Sequence, residues 1–235
     1  MKFHKMINVY KNVYAFITPS EFLKKKLSLN GFEEKRIHCI PTFTASKTTI
    51  GEQQIGSYGL YFGRVTEEKG VETVIKAYEK LPEYTVKIMG DDTTDEAKRL
   101  KKYVENHKMK NVEFLGFKSG AELENVIKGA RFTLIPSIWY DNLPNTALES
   151  FQYSKPVIAS NIGSLPELVI DGENGYLFKP SNVEDLIKKI KMLDDDTLVK
   201  KMGQASRKRL ESRFAPQTHY EDLMKIFNEA VKSRK

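Results

Sequence analysis

Two acids, Asp141 and Glu149, stand eight positions apart in the stretch PSIWYDNLPNTALES, residues 136–150. Asn142 and Pro144 turn the chain between them, and Pro144 suits the first turn of a helix that would carry Glu149. The unsatisfied N–H groups of such a helix start can accept an anion, a diphosphate among them. An ionised carboxylate can take hydrogen bonds from two vicinal hydroxyls, so one acid suits a sugar and the other a ribose. Spacing alone favours a plainer account, with Asp141 capping the helix and Glu149 in a surface salt bridge. A second candidate is FGRVTEEKG, residues 62–70. Gly63 lets the backbone turn tightly and approach a ligand, and Arg64 and Lys69 flank the turn as two cations suited to phosphate. Lys69 would serve equally well as a solvated residue at a helix start.

Other chemistries lack their residues. Glycines at 56, 59 and 63 do not make GxGxxG, and no GxxxxGK[ST] occurs, so dehydrogenase and P-loop readings lose their support. Asp91, Asp92 and Asp95 could suggest a metal. They also sit where acids favour the positive end of a helix, and no histidine lies near them. His4, His38, His107 and His219 are scattered, none at ligand spacing, so no metal site is expected.

The elements that must position these residues alternate. Strand patterns fall at 58–65, 84–90, 112–116, 132–137, 156–160 and 175–178, and helical patterns at 70–81, 95–107, 121–130, 144–153 and 181–193. Short strands alternating with helices predict an α/β fold, a Rossmann-like doubly wound parallel sheet, with ligands at the carboxyl ends of its strands. Before it, residues 14–32 suggest one strand and one helix, capped by Thr18 with Glu21 closing a capping box and stopped by Gly31. Ser181 and Glu184 suggest a second capping box. Residues 44–57 are polar and linker-like. Two helices, 196–214 and 215–235, close the chain, the last with a stripe of Tyr220, Leu223, Ile226, Phe227 and Ala230 that needs a partner surface.

The charge of +7 is unevenly spread: residues 1–40 carry eight Lys/Arg against three Asp/Glu, and residues 200–235 ten against four. Basic ends suit solvated helices, and they leave open peripheral contact with an anionic membrane surface. No zinc-finger spacing or RNA-binding aromatic motif points to nucleic acid. No apolar run has membrane-spanning length, and the lone Cys39 suits a reducing compartment, so a cytoplasmic place is expected, with attachment at the inner membrane face as an option.

Six segments in order, FITPSEF, YFGRVTEEKGV, VEFLGF, PSIWYDNLPNTALESF, KPVIASNIGSLPELV and DGENGYLF, together resemble the retaining GT-B glycosyltransferases of glycosyltransferase family 4, the glycosyl transferases group 1. The resemblance implies a nucleotide-diphospho-sugar donor, such as a UDP- or GDP-sugar, and no metal. It gives Arg64 and Lys69 the donor diphosphate and stabilisation of the leaving group. It gives Asp141 the hydroxyls of the transferred sugar and Glu149 the nucleotide ribose. Gly63 and the turn from Asn142 to Asn145, through the N–H groups of Leu143 and Asn145, complete the expected donor site. Two positions depart from the family pattern: Asp141 is one methylene shorter than the usual Glu, and Ser154 replaces a frequent glycine.

The implied layout is the end of an N-terminal domain at 1–43, a linker at 44–57, a donor-binding domain at 58–200 and helices at 201–235 packing back toward the N-terminal part. An acceptor domain would then be missing. The resemblance therefore leaves two readings open, a transferase portion and a binding module that needs a separate N-terminal-domain chain or a second copy.

Overall fold

The structure, a computed structural model, describes residues 9–44 and 53–233. His4 and most of the expected linker, residues 45–52, lie outside the described residues. The main sheet is built from β3 (Tyr58–Phe62), β4 (Thr85–Met89), β5 (Val112–Gly116), β6 (Ala130–Ile135), β7 (Val157–Ser160) and β8 (Gly175–Phe178). Its order is β5-β4-β3-β6-β7-β8, and every neighbouring pair is parallel. The central strands are near-continuous apolar runs because helices cover both faces.

Side-chain alternation sorts the two faces. Tyr61, Ile88, Leu134 and Ile158 pack under α2 (Val71–Glu79), α3 (Asp95–Asn106) and α7 (Val183–Met192). Ile135, Val157 and Ala159 pack under α5 (Asn145–Gln152), α6 (Leu165–Leu168) and the end of α8 (Asp196–Arg213). On the same side as the latter, Leu60, Phe62 and Met89 meet Ile127 of α4 (Gly120–Lys128). The chain runs outward from β3 to β5, then returns to β6 and runs outward the other way. The order reverses between β3 and β6, and the crevice at their carboxyl ends is where such sheets bind ligands.

The N-terminal residues form a separate two-stranded parallel sheet, β1 (Phe16–Thr18) beside β2 (Ile37–Cys39), joined by α1 (Glu21–Leu29). Here the expected cap is corrected. Ser20, not Thr18, caps α1, its side chain accepting from Leu23 N–H. Glu21 closes no capping box; instead the N–H groups of Glu21 and Phe22 donate to the Glu167 carboxylate at 2.8 and 2.6 Å. Likewise Asn182 caps α7, while Ser181 takes a left-handed conformation at φ 60° and Glu184 pairs with Lys80.

The end of the expected linker is tied down, with Gln53 Nε2 donating to Ser154 O at 2.8 Å. Ser154 has φ 52°, which explains a preference for glycine at that position. On the last helix, α9 (Pro216–Lys232), only Ile226 of the expected stripe is buried, and Tyr220 and Phe227 face outward. It meets the connector after β2, where the His219 ring lies tilted against Phe43 and its Nδ1 meets Pro41 O at 2.7 Å.

Candidate functional site at the carboxyl ends of β3 and β6

β3 ends at Phe62 and hands the chain to Gly63, whose φ is 146° and whose N–H donates to Met89 O at 2.9 Å. The loops after β3 and β4 approach so closely that a Cβ on Gly90 would run into the Gly63 carbonyl. Tyr61 OH donates to the carbonyl of Arg64, and burial holds that phenol protonated, with its pKa pushed far up. The Arg64 side chain itself is 73% exposed and has only a loose pairing with Glu68 at 3.9 Å.

Lys69 closes the 3-10 turn before α2 and reaches across to the loop after β6, where its Nζ lies 2.5 Å from Asp141 Oδ1. Ser137 Oγ donates to the other Asp141 oxygen. The Asp141 carbonyl in turn accepts from Ser164 Oγ at 2.8 Å. Gly163, at φ 63°, permits this approach: a Cβ there would lie 3.0 Å from Asp141 O.

Beyond the loop, Leu143 is held at φ 104°, a conformation that L residues rarely adopt, and Pro144 precedes α5 with no side-chain cap. Asp141 therefore does not cap this helix. Among the described residues the amides of Leu143, Asn145 and Thr146 find no hydrogen-bond acceptor, and those of Asn145 and Thr146 open the helix N-terminus.

Glu149 projects one turn further along α5. Among the described residues its carboxylate has no hydrogen-bond or ion-pair partner, and burial raises its pKa above the ordinary carboxylate value. The surface salt bridge that spacing suggests for it is not formed among the described residues.

Three cavities that share Arg64 make one trench. The largest, about 600 Å³, is walled by Phe62, Met89, Phe117 and Leu123 with Glu149 and Thr146. The middle one, about 210 Å³, holds Gly63, Lys69, Ser137, Asp141, Asn145 and Thr146. The third, about 360 Å³, lies under the exposed Trp139 and Tyr140.

Of the residues singled out in the sequence, Gly63, Arg64, Lys69, Asp141, Asn145 and Glu149 meet in this trench. Asn142 and Leu143 line none of its three parts. Asn142 Oδ1 accepts from Ser20 Oγ at 3.1 Å, and Leu143 packs against the core. Ser137, Thr146 and Phe117, which stand inside the quoted segments but receive no role from motif or spacing, also line the trench. The acids near 91 do not gather: Asp91 binds Thr93, and Asp92 pairs with Lys101 at 2.5 Å. Among the described residues no group of three His, Cys, Asp or Glu side chains could hold a metal ion. No helix among them is long and apolar enough to cross a membrane.

The strand order, the crevice at the reversal and the open helix start define a Rossmann-like α/β domain of the GT-B kind. The chain belongs to the Glycosyl transferases group 1 family, whose model matches residues 49–209. It is 30% identical over 174 residues to an uncharacterized glycosyltransferase of Methanocaldococcus jannaschii, covering 74% of this chain and 48% of that protein. It is 31% identical over 186 residues to the glycogen synthase of Mycobacterium tuberculosis, covering 75% and 42%. The chain thus spans about half the length of the curated relatives it matches.

Among solved structures, a glycosyltransferase from Rickettsia africae superposes with a TM-score of 0.86 at 21% identity, covering 96% of this chain and 66% of that one. Anabaena HepE, in complex with UDP and glucose, superposes with a TM-score of 0.81 at 20% identity, covering 92% and 63%.

Proposed function

We propose that this chain is the donor-binding portion of a retaining glycosyltransferase that takes a nucleotide-diphospho-sugar. The observation that carries the proposal is Glu149, an unpartnered carboxylate in the wall of the largest cavity, beside an open helix N-terminus and Arg64. A half-buried acceptor without a donor from the protein is left for water or a ligand to complete. Two vicinal hydroxyls of a ribose would do so, with the base against Phe62, Met89 and Leu123. The diphosphate then falls at Gly63, Arg64, Lys69 and the amides of Asn145 and Thr146. As the bond from the anomeric carbon to the diphosphate breaks, negative charge grows on the leaving oxygens. Arg64, Lys69 and the helix N-terminus meet that charge, a stabilisation that strengthens toward the transition state. No metal is required in this scheme. That Anabaena HepE, which shares the fold, was crystallised with UDP and glucose favours a UDP-sugar as the first donor to try.

Calorimetry with UDP- and GDP-sugars tests the proposal. Binding by the wild-type chain is expected with and without EDTA, weakened in Glu149→Ala and Arg64→Ala. An absence of binding, or binding indifferent to both substitutions, would falsify it.

A second reading, a nucleotide-sugar-binding module completed by another chain, is favoured by the exposed Ile17, Tyr220, Phe227 and Val231 on the N-terminal sheet and α9. Sugar transfer by this chain without a second polypeptide would exclude it.

A further inference from the structure

The family resemblance gives the first acid of the pair to the hydroxyls of the transferred sugar. The local geometry gives Asp141 other work. One carboxylate oxygen takes Lys69 Nζ at 2.5 Å and the other takes Ser137 Oγ. Its backbone is pinned as well: the N–H donates to Trp139 O at 2.9 Å, and the carbonyl takes Ser164 Oγ at 2.8 Å and Ser164 N–H at 3.3 Å. The Lys69 and Asp141 side chains are only 20% and 13% exposed.

Lys69 ends a flexible stem, and an ammonium on such a stem is a point charge that needs a fixed partner to hold one place. Asp141 supplies it, bridging the loops after β3 and β6 where the order of strands reverses. An ammonium has three N–H donors, so engagement by one carboxylate oxygen leaves two for phosphate oxygens. The shorter side chain matters here: a Glu would carry the carboxylate one methylene further from its own backbone, toward the space where the sugar would lie.

We infer that Asp141 is a positioning residue, which with Ser137 holds the Lys69 ammonium against the donor diphosphate rather than contacting the sugar. This rests on the donor reading above. Two consequences follow from it. Asp141 matters to a nucleoside diphosphate that carries no sugar at all, and discrimination among sugars does not run through it.

The test is calorimetry of the full chain with UDP and GDP, then with UDP-glucose and UDP-galactose. For the nucleotide that binds, Asp141→Asn is expected to lower affinity about tenfold, the loss of one charge-assisted hydrogen bond. Lys69→Ala is expected to match it, and the double variant to lose no more than Lys69→Ala alone, because the two act as a unit. Ser137→Ala, which changes no charge, should weaken binding about threefold, and Asp141→Glu, which keeps the charge but moves it by a methylene, should recover only part of the loss. The ratio of UDP-glucose to UDP-galactose affinity should survive Asp141→Asn. Melting curves followed by circular dichroism establish that each variant is folded, and Ser137→Ala stands in if Asp141→Asn is not.

The positioning role is overturned if Asp141→Asn leaves UDP and GDP affinity unchanged while erasing the ratio between the two sugars. It is equally overturned if Asp141→Asn tightens nucleotide binding, since Asp141 would then be screening Lys69. Wild-type chain that binds neither nucleotide overturns the donor reading itself, and the positioning role with it.

Discussion

Asp141 and Glu149 stand eight positions apart around one turn, yet they occupy opposite environments. Asp141 is held: a lysine and a serine engage one carboxylate oxygen each, and two contacts to its backbone carbonyl fix the loop. Glu149 is half-buried with no partner, its charged form disfavoured by desolvation. Each oxygen of one acid is engaged by a neighbouring side chain, and no side chain among the described residues engages the other acid. The spacing of a pair of acids therefore says where a site lies, while the partners of each acid say which one meets the ligand. Lys155 extends the contrast. It is 1% exposed, with Nζ donating to Gln54 O, Lys128 O and Ala130 O at 2.6, 2.6 and 2.7 Å, and burial pulls its pKa down to about 8. All three of its N–H donors are used on backbone carbonyls, so it holds the fold alone, where Asp141 holds Lys69.

The largest effect should come from the unpaired acid. Glu149→Ala removes an acceptor for two hydroxyls and is expected to weaken nucleotide-sugar binding about a hundredfold, measured by calorimetry, with the fold intact. A loss smaller than that of Asp141→Asn would break the contrast between the two acids. Lys155→Met comes next and acts on stability alone. Three carbonyls, that of Ala130 buried, lose their donor, and denaturant unfolding should show a loss of about 2 kcal/mol. Nucleotide affinity at temperatures where the variant is folded should be unchanged. A Lys155→Met variant that is stable but cannot bind nucleotide would move Lys155 to the other side of the comparison.

These contrasts also mark what could be read without coordinates. β5 and β8 fall at 112–116 and 175–178 as the apolar pattern predicts, because strands covered on both faces show as short apolar runs. The other sheet strands and their helices differ only at their ends: β3 stops at Phe62 rather than 65 because Gly63 turns the chain. The motifs located the crevice, since Gly63–Lys69 and Asp141–Glu149 follow two strands that turn out to be neighbours at the reversal. What the pattern could not supply are partners set by tertiary contact. Glu167 caps α1 from 145 and 146 residues away, and Ser20 reaches Asn142 across 122. Neither leaves a local trace, so Thr18 and Glu21 seemed sufficient to cap that helix. Ser137 is only four residues from Asp141, but a serine after a strand has no distinguishing period. How far Tyr220 and Phe227 are covered could not be read either, because a helical stripe gives a face, and only the neighbouring segments decide how much of it is covered.

A smaller perturbation can be aimed at one end of the trench. Gly163→Ala puts a Cβ 3.0 Å from Asp141 O and 3.2 Å from Tyr140 Cα, at a φ of 63°. The Asp141 loop must shift while Glu149, on α5, stays in place. Nucleotide affinity should fall about threefold through the Lys69 end, and the pH dependence of binding should keep its shape. That dependence belongs to Glu149. Its ionised form is the acceptor, and burial raises its pKa, so affinity should decline with acidification beginning above the pH at which an ordinary glutamate protonates. The decline should vanish in Glu149→Gln. If it persists there and disappears in Asp141→Asn, the two acids have exchanged roles.

The smallest effect is the most pointed, because it separates function from stability at one atom. Desolvation raises the Glu149 pKa in the folded chain, so at neutral pH the folded state carries a charge that it holds less comfortably than the unfolded state does. Between the ordinary glutamate pKa and the raised one, the folded state binds more protons than the unfolded state. Stability therefore falls as pH rises through that window, and the penalty is complete above it. Glu149→Gln removes the charge and keeps the shape. At pH 7 it should melt about 1–2 °C above the wild type, the partial opening of the cavity to solvent keeping the gain small. At pH 4, where the wild-type carboxyl is largely protonated in both states, the two curves should converge. The same substitution in a paired group behaves oppositely: Asp141→Asn breaks an ion pair and should lower the melting temperature at pH 7. A Glu149→Gln variant that melts lower than the wild type at pH 7 would mean that the carboxylate already has a stabilising partner, and Glu149 would then belong with Asp141 among the paired acids.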